Sequence, residues 1–533
     1  MAEALHREAR LLQGTPASAG IAVGKLYLVE ETAPVDTTHT DDEESRLVEA
    51  LDVSTTQLTD LLNRLDDQSE AVQLLEFQLA MIEDETLCAP ALSMTKAGHG
   101  AYDAWSTVLD AEIADYAAAD DEYFQARVSD LKDIRDRVRR VITGVEDISI
   151  PANCVVVADD ISPSQFLSTY WGRGGIALTG GSPASHVAML ARASNVPMIV
   201  NLSSAPAPGT GEIFLDAHAG ELVFDATASE REVFVKRIQQ DELQRQEESE
   251  YLYSEVRTSD GDRVLVQINV ADPGELGQID VDSCDGVGLV RTEFLFHQND
   301  VLPSETEQFD VYRRFIEWAR GKPVTVRTLD AGGDKPITGV TIDSEKNPFL
   351  GVRGIRLSLL HAELFRTQLR ALLRASAHGP LKIMLPMVTV PDEVEQARTI
   401  LCAERDALID QEIAVGDPEL GIMVEVPSAA ISVEDFDADF FSIGSNDLVQ
   451  YVTACSRDAA RLQQLAQPDN PAVVMLIAGV VRHGRRTGRE VSVCGEMAGD
   501  PRFIGLLLDH GLRCLSVAPA ALARAKHAVV CPR

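Results

Sequence analysis

Six polar residues close short apolar runs in the carboxyl-terminal half of the 533-residue chain. Arg291 follows Gly-Leu-Val, Arg327 follows Val-Thr-Val, Glu425 follows Ile-Met-Val, Asn446 and Asp447 follow Ser-Ile-Gly-Ser, and Cys494 follows Val-Ser-Val. Two carboxylates with no nearby histidine suit a hard cation such as Mg²⁺, completed by water and substrate oxygens. Clustered arginines repel one another unless a polyanion joins them, and Arg353 and Arg457 add further guanidinium forks for phosphate or carboxylate. A small phosphorylated acid meets both requirements.

His186 lies far from these residues, in Gly180-Gly-Ser-Pro-Ala-Ser-His-Val-Ala-Met-Leu-Ala-Arg192, where a Gly-rich turn opens into an apolar helix. Backbone N–H groups and the helix dipole at such a start would steady a phosphate held on the imidazole. A lone histidine is by default structural or capping; this setting turns the reading toward a phosphoryl carrier.

Chemistry at the ends of apolar runs requires a scaffold that gathers those ends. Eight runs, at 264–269, 286–291, 323–328, 381–386, 420–426, 440–444, 491–494 and 514–518, are mostly separated by segments long enough for a crossover helix. This alternation predicts a (β/α)₈ barrel over residues 257–533, with the polar run ends on the face where such barrels carry their active sites. Residues 229–254 are charged, Gln-rich and free of Gly and Pro, and they predict a helical linker over 229–256. Upstream, residues 1–35 and 145–228 read as a small α/β domain, with strands at Val155-Val156-Val157 and Gly175-Ile176-Ala177-Leu178. It is interrupted at 36–144 by helical periodicity. The stripes Leu47, Leu51, Leu58; Leu75, Leu79, Ile82; Val108, Ile113, Tyr116; and Leu131, Ile134, Val138 predict an inserted four-helix bundle.

Composition narrows the partners. The formal charge is −37, from 84 Asp plus Glu against 47 Lys plus Arg, only nine of them Lys. Nucleic acid and anionic membrane are therefore poor partners. Hydrophobic residues at 45% imply that the acids solvate a folded surface, either in a high-salt cytosol, where cations screen the carboxylates, or on an ordinary acidic mesophile protein. The eight cysteines show no CxxC pair and no zinc spacing, which predicts free thiols in a reducing cytoplasm. No run of about 18 apolar residues occurs, so no membrane insertion is expected.

Six segments in order carry a resemblance: residues 16–22 (Pro-Ala-Ser-Ala-Gly-Ile-Ala), 76–84 (Glu-Phe-Gln-Leu-Ala-Met-Ile-Glu-Asp), 286–295 (Gly-Val-Gly-Leu-Val-Arg-Thr-Glu-Phe-Leu), 327–335 (Arg-Thr-Leu-Asp-Ala-Gly-Gly-Asp-Lys), 443–451 (Ile-Gly-Ser-Asn-Asp-Leu-Val-Gln-Tyr) and 494–500 (Cys-Gly-Glu-Met-Ala-Gly-Asp). Together they resemble enzyme I of the phosphoenolpyruvate-dependent phosphotransferase system, from end to end. The resemblance implies that His186 is phosphorylated, that Cys494 protonates the enolate to give pyruvate, and that Glu425 and Asp447 hold Mg²⁺. It further implies that Arg291, Arg327, Asn446, Asp447 and Arg457 line the phosphoenolpyruvate site, with Lys335 and Arg353 as additional ligands. The helical insertion would dock the histidine-carrier protein HPr, and the barrel would form a homodimer. One position departs from the family pattern Gly-Gly-Xaa-Thr-Ser-His: Ala184 replaces the threonine, leaving Ser182 or Ser185 to bond the phosphate. Phosphoenolpyruvate synthases and pyruvate phosphate dikinases share the histidine and barrel modules but need an ATP-binding domain, and no Gly-Lys-Ser/Thr loop is found here.

Overall fold

The computed structural model describes residues 11–29, 42–62, 70–118, 122–145, 150–183, 185–204, 206, 211–297, 302–332, 337, 339–342, 345–456, 462 and 464–532. The chain divides into two compact units with the boundary between Gln244 and Arg245. Among the described residues no helix is long and apolar enough to cross a membrane, and the eight cysteines are free thiols.

The first unit is built on an eight-stranded mixed sheet. Its strands are β1 (Leu11–Gln13), β2 (Thr15–Ser18), β3 (Ile21–Leu28), β4 (Cys154–Ala158), β5 (Gly175–Leu178), β6 (Met198–Val200), β7 (Glu212–Asp216) and β8 (Glu221–Phe224), in the order β1-β8-β7-β3-β4-β5-β6-β2. Strands β3 to β6 pair in parallel, and their neighbours are antiparallel. Fully buried runs such as Cys154–Ala158 and Gly175–Leu178 suit parallel strands covered on both faces. The sequence shows β4 and β5 through their apolar runs, while β1, β6, β7 and β8 are not anticipated from it.

Between β3 and β4 comes the helical insertion, with five helices among the described residues rather than the expected four: α1 (Glu43–Leu62), α2 (Glu70–Glu83), α3 (Glu85–Lys96), α4 (Ala101–Ala118) and α5 (Glu122–Thr143). Helix α3 escapes a search for stripes because Pro90 lies within it and, among its described side chains, the buried apolar ones are only Leu87 and Ala91, with Thr95 the third buried position. Asp84 caps it, accepting from the Thr86 N–H at 2.7 Å. The Leu47, Leu75 and Leu131 stripes enter the bundle core as expected. On α4 the buried face is Ala101, Trp105 and Leu109, while Val108, Ile113 and Tyr116 pack only partly, because the indole fills the centre of the bundle. Asp133 on α5 accepts from Ser164 Oγ at 2.8 Å and from Gln78 Nε2 at 3.1 Å, tying the bundle to α6 (Pro163–Ser168) of the sheet domain.

Helix α7 (His186–Ala193) follows β5, and α8 (Ala228–Glu250) ends in a turn at 251–254. The α8 sequence is polar on every side, as expected of a connector rather than a core helix.

The second unit is a closed parallel barrel. A two-residue strand β9 (Val256–Arg257) pairs antiparallel with β10 (Arg263–Val270). The staves continue as β11 (Val287–Val290), β12 (Val324–Arg327), β13 (Leu381–Leu385), β14 (Glu419–Val424), β15 (Phe440–Ile443), β16 (Glu490–Val493) and β17 (Cys514–Val517). Neighbours pair in parallel from β11 to β17, and β10 closes the ring against both β17 and β11. All eight strands lie on the eight apolar runs. Between β10 and β11 the connection holds short 3₁₀ turns in place of a crossover helix.

Candidate active site

Strand register brings the polar run ends to one level. Arg327 ends β12 opposite Met384 on β13; Val424 of β14 pairs with Ile443 of β15, and Ile443 with Val493 of β16. The next residues, Glu425, Gly444 to Asp447, and Cys494, therefore leave the barrel at its carboxyl-terminal mouth.

Arg327 and Arg353 form the centre. Arg327 donates to Glu293 Oε1 at 2.9 Å and pairs with Asp330 Oδ2 at 3.2 Å. Arg353 grips Asp330 through two bonds, Nε to Oδ1 at 3.1 Å and Nη2 to Oδ2 at 2.8 Å, and lies 3.5 Å from Asp447 Oδ2. Tyr451 accepts from Arg353 at 3.4 Å and donates to the Phe349 carbonyl at 2.5 Å. Both arginines and their three carboxylate partners are buried. Burial opposes the charge on each guanidinium, but the surrounding carboxylates outweigh it and raise both pKa values, so both arginines stay charged.

Glu425 is almost wholly buried, with Oε1 accepting from the Met387 N–H at 2.7 Å. Glycine at 444 makes room for it, since a Cβ there would stand 2.9 Å from Glu425 Oε2. Burial first, then the charges of Asp447 and Asp330, push the Glu425 carboxyl up to about 8 against the opposing arginines. Four buried carboxylates, Glu293, Asp330, Glu425 and Asp447, thus face two buried guanidinium groups. The surplus negative charge and the Glu425–Asp447 pair fit a divalent cation with oxygen ligands. Among the described residues no group of three metal-ligating side chains occurs; water and substrate oxygens commonly complete the shell of a hard cation held by one or two carboxylates. Arg327 Nε, Thr328 Oγ1, Ser445 Oγ and Asp447 Oδ1 are buried without a hydrogen-bond partner. Such atoms mark a surface that a polar ligand completes.

Cys494 sits at the edge of a small apolar cluster inside the barrel with Leu289, Met384, Met423 and Phe440. Burial raises its thiol pKa, with Ser442 opposing, so the thiol stays protonated. Asn446 Oδ1 accepts from the Glu496 N–H at 3.0 Å, joining the loops after β15 and β16, and Gly495 leaves space for Ser445 where a side chain would collide. Arg291 is exposed at the same mouth, its N–H bonded to the Val270 carbonyl at 3.0 Å.

Of the residues singled out in the sequence, Arg327, Arg353, Glu425 and Asp447 form one charged cluster; Arg291, Asn446 and Cys494 stand at neighbouring strand ends. Lys335, Arg457 and Ala184 lie outside the described residues. His186 belongs to the other unit, as the first residue of α7, with Ser185 at the N-cap accepting from the Ala188 N–H at 3.3 Å. Ser185, one candidate to replace the family threonine, is thus engaged in capping through its oxygen. Glu293 and Asp330 were missed. For Asp330 the signal was local, three residues after the buried Arg327 in Arg327-Thr-Leu-Asp, since a buried arginine demands a carboxylate; Glu293 follows the exposed Arg291 and serves Arg327 from the neighbouring loop.

Residues 245–531 match the family model of the PEP-binding domain of PEP-utilising enzymes, residues 13–127 the N-terminal model and residues 150–220 the mobile-domain model. A relative from Listeria innocua named phosphoenolpyruvate-protein phosphotransferase is 37% identical over 97% of this chain and 93% of its own length. Relatives of the same name from Geobacillus stearothermophilus and Staphylococcus carnosus are each 36% identical, covering 97% and 98% of this chain and 92% and 94% of their own.

Proposed function

The chain belongs to the phosphoenolpyruvate-protein phosphotransferase family and is a phosphoenolpyruvate-dependent phosphotransferase, and from that premise we propose that His186 takes the phosphoryl group and hands it to an HPr-type carrier, the first step of phosphotransferase-system sugar uptake. The observation that carries this reading is the barrel mouth, where paired arginines, surplus buried carboxylates and a protonated thiol meet the needs of a phosphorylated enol.

In this reading Arg291, Arg327 and Arg353 bind the phosphoryl and carboxylate groups of phosphoenolpyruvate, and Asn446, Lys335 and Arg457 complete the pocket. Glu425 and Asp447 would hold Mg²⁺, whose charge when bound offsets that on the phosphoryl and enolate oxygens. The neutral imidazole of His186 attacks phosphorus in line; an N–P bond forms as the bond to the enol oxygen breaks, and the enolate departs. The Cys494 thiol gives its proton to the methylene carbon, pyruvate leaves, and water reprotonates the thiolate. The phosphoryl group then moves from His186 to a histidine of the carrier.

The division of labour follows the domains: residues 36–144 dock the carrier, 1–35 with 145–228 carry the phosphohistidine, 229–256 link, and 257–533 bind the donor and dimerise. His186 has to meet two partners in turn, and α8 is the element proposed to accommodate the exchange. Free thiols and the −37 charge suit a reducing, salt-rich cytosol.

The test is labelling. With phosphoenolpyruvate, Mg²⁺ and HPr, the protein should acquire an acid-labile, alkali-stable label that His186→Ala abolishes, and release pyruvate. An acid-stable label would exclude histidine as the carrier.

A further inference from the structure

Gln368 touches none of the charged groups at the barrel mouth, yet it holds together the two loops that carry most of them. It lies on the helix Ala362–Ala375, among Phe365, Leu369 and Leu372, and is buried. Its oxygen accepts from the Leu329 N–H at 3.0 Å. Its amide nitrogen donates to Thr292 Oγ1 at 3.3 Å and to the Tyr312 hydroxyl at 3.1 Å.

The bonds continue outward in one direction. Thr292 Oγ1 donates to the Arg327 carbonyl at 3.0 Å, and Tyr312 donates to Gln308 Oε1 at 3.1 Å. Each hydroxyl has therefore already given its proton and offers Gln368 only lone pairs, while Leu329 offers only a donor. The site calls for one acceptor and two donors on a planar group, which an amide supplies and a carboxylate or apolar side chain does not. A residue serving packing alone on this face would be apolar like its neighbours, since burying polar atoms is unfavourable unless they are all bonded.

What the amide joins is specific. Thr292 lies between Arg291 and Glu293, and Leu329 lies between Thr328 and Asp330, two residues past Arg327. Gln368 thus braces, from behind, the loops after β11 and β12, which carry both members of the Arg327–Glu293 pair and the shared Asp330 and are also bonded directly by Thr292 Oγ1 to the Arg327 carbonyl and by the Asp330 N–H to Glu293 Oε1 at 3.2 Å.

We infer that Gln368 is a positioning residue for phosphoenolpyruvate: through Thr292 and the Leu329 N–H it braces the loops that bear Arg291 and Arg327. The inference rests on the donor site assigned above. Displacing a binding group by even 1 Å can cost about 10²-fold in rate, so a shift of loop spacing should register in the kinetics of the donor reaction and nowhere else.

Gln368→Met keeps length and volume but can neither donate nor accept in the same way. In the full-length protein with Mg²⁺ and HPr it should raise KM for phosphoenolpyruvate and lower kcat/KM roughly 10- to 100-fold, with a smaller change in kcat. Exchange of phosphoryl between phosphorylated HPr and His186, which uses no barrel residue, should keep its wild-type rate. Thr292→Val removes the hydroxyl that accepts from Gln368 and donates to the Arg327 carbonyl, and should reproduce the KM rise; combined with Gln368→Met it should add little, as expected of residues acting in one network. A wild-type KM in Gln368→Met, or in Thr292→Val should Gln368→Met fail to fold, overturns the inference, as does an equal fall in the exchange reaction. Failure of the wild-type protein to consume phosphoenolpyruvate would overturn the donor-site reading instead.

Discussion

Mg²⁺ binding should release about one proton at pH 7, and the count follows from the buried charges. Without a cation, Glu425 shares the barrel interior with Asp447 and Asp330, and burial together with their charges lifts its pKa to about 8. A carboxyl with that pKa is about nine-tenths protonated at pH 7 and half protonated at pH 8. A metal ligand must be ionised, so each Mg²⁺ bound expels that proton. Release should be about 0.9 proton per ion at pH 7, about 0.5 at pH 8 and near zero above pH 9. Calorimetric titration of Mg²⁺ in buffers of different ionisation enthalpy reads the number directly from the slope of heat against buffer enthalpy. Affinity should rise close to tenfold per pH unit below pH 8 and level off above it. Stability supplies a second reading. A carboxyl raised above its unfolded value binds more protons when folded, so the metal-free protein loses stability as pH climbs from about 5 to 8, and Mg²⁺ should raise Tm more at the upper end. Zero release with pH-independent affinity between pH 6 and 9, while Glu425→Gln still abolishes binding, would refute the charge argument.

Asp330→Asn removes the carboxylate that pairs with Arg353 at 2.8 Å and Arg327 at 3.2 Å, and breaking a buried pair from one side costs about 3–5 kcal/mol. Urea unfolding of the barrel should show it, and a change below about 1 kcal/mol would mean the arginines are compensated elsewhere. Cys494→Ala should slow pyruvate formation roughly 10²- to 10⁴-fold while leaving the unfolding midpoint close to wild type; near-normal turnover removes the thiol from the chemistry. The unfolding midpoint should rise between dilute buffer and molar KCl as cations screen the 84 acidic side chains, and an unchanged midpoint rules out adaptation to high salt.

The barrel was legible because its strands are buried on both faces. A stave such as Val287–Val290 or Phe440–Ile443 must be apolar throughout and must stop being apolar where it meets water or a ligand, so its end is written in the sequence. The same rule located Arg327, Glu425 and Cys494. It could not locate Gln368, which lies inside a helix whose other inward residues are apolar, and whose role depends on partners 39 and 76 positions away. It passed over Glu293 and Asp330 because a search for ligands asks what would bind a substrate, not what would keep an arginine buried without one. In the amino-terminal unit the helical insertion showed as a change of period, but α3 hid behind Pro90, and of the short strands only β4 and β5 stood out as apolar runs.

Shifts in the same direction at the barrel mouth serve the different roles proposed for Glu425 and Cys494. Burial raises the carboxyl and the thiol alike, because both ionise to anions. For Glu425 the rise is reversible: a cation beside it and Asp447 restores the charge that burial removed. For Cys494 no such reversal is needed. A nucleophilic cysteine requires a lowered pKa, from a helix start or a dominant cation, whereas this thiol faces Leu289, Met384, Met423 and Phe440 and is kept neutral. It can give up a proton only to something more basic than water, and an enolate carbon released beside it is such a base. The apolar cluster that fills the barrel therefore also selects the chemistry: it disfavours thiolate attack on the substrate and leaves proton donation as the reaction open to Cys494.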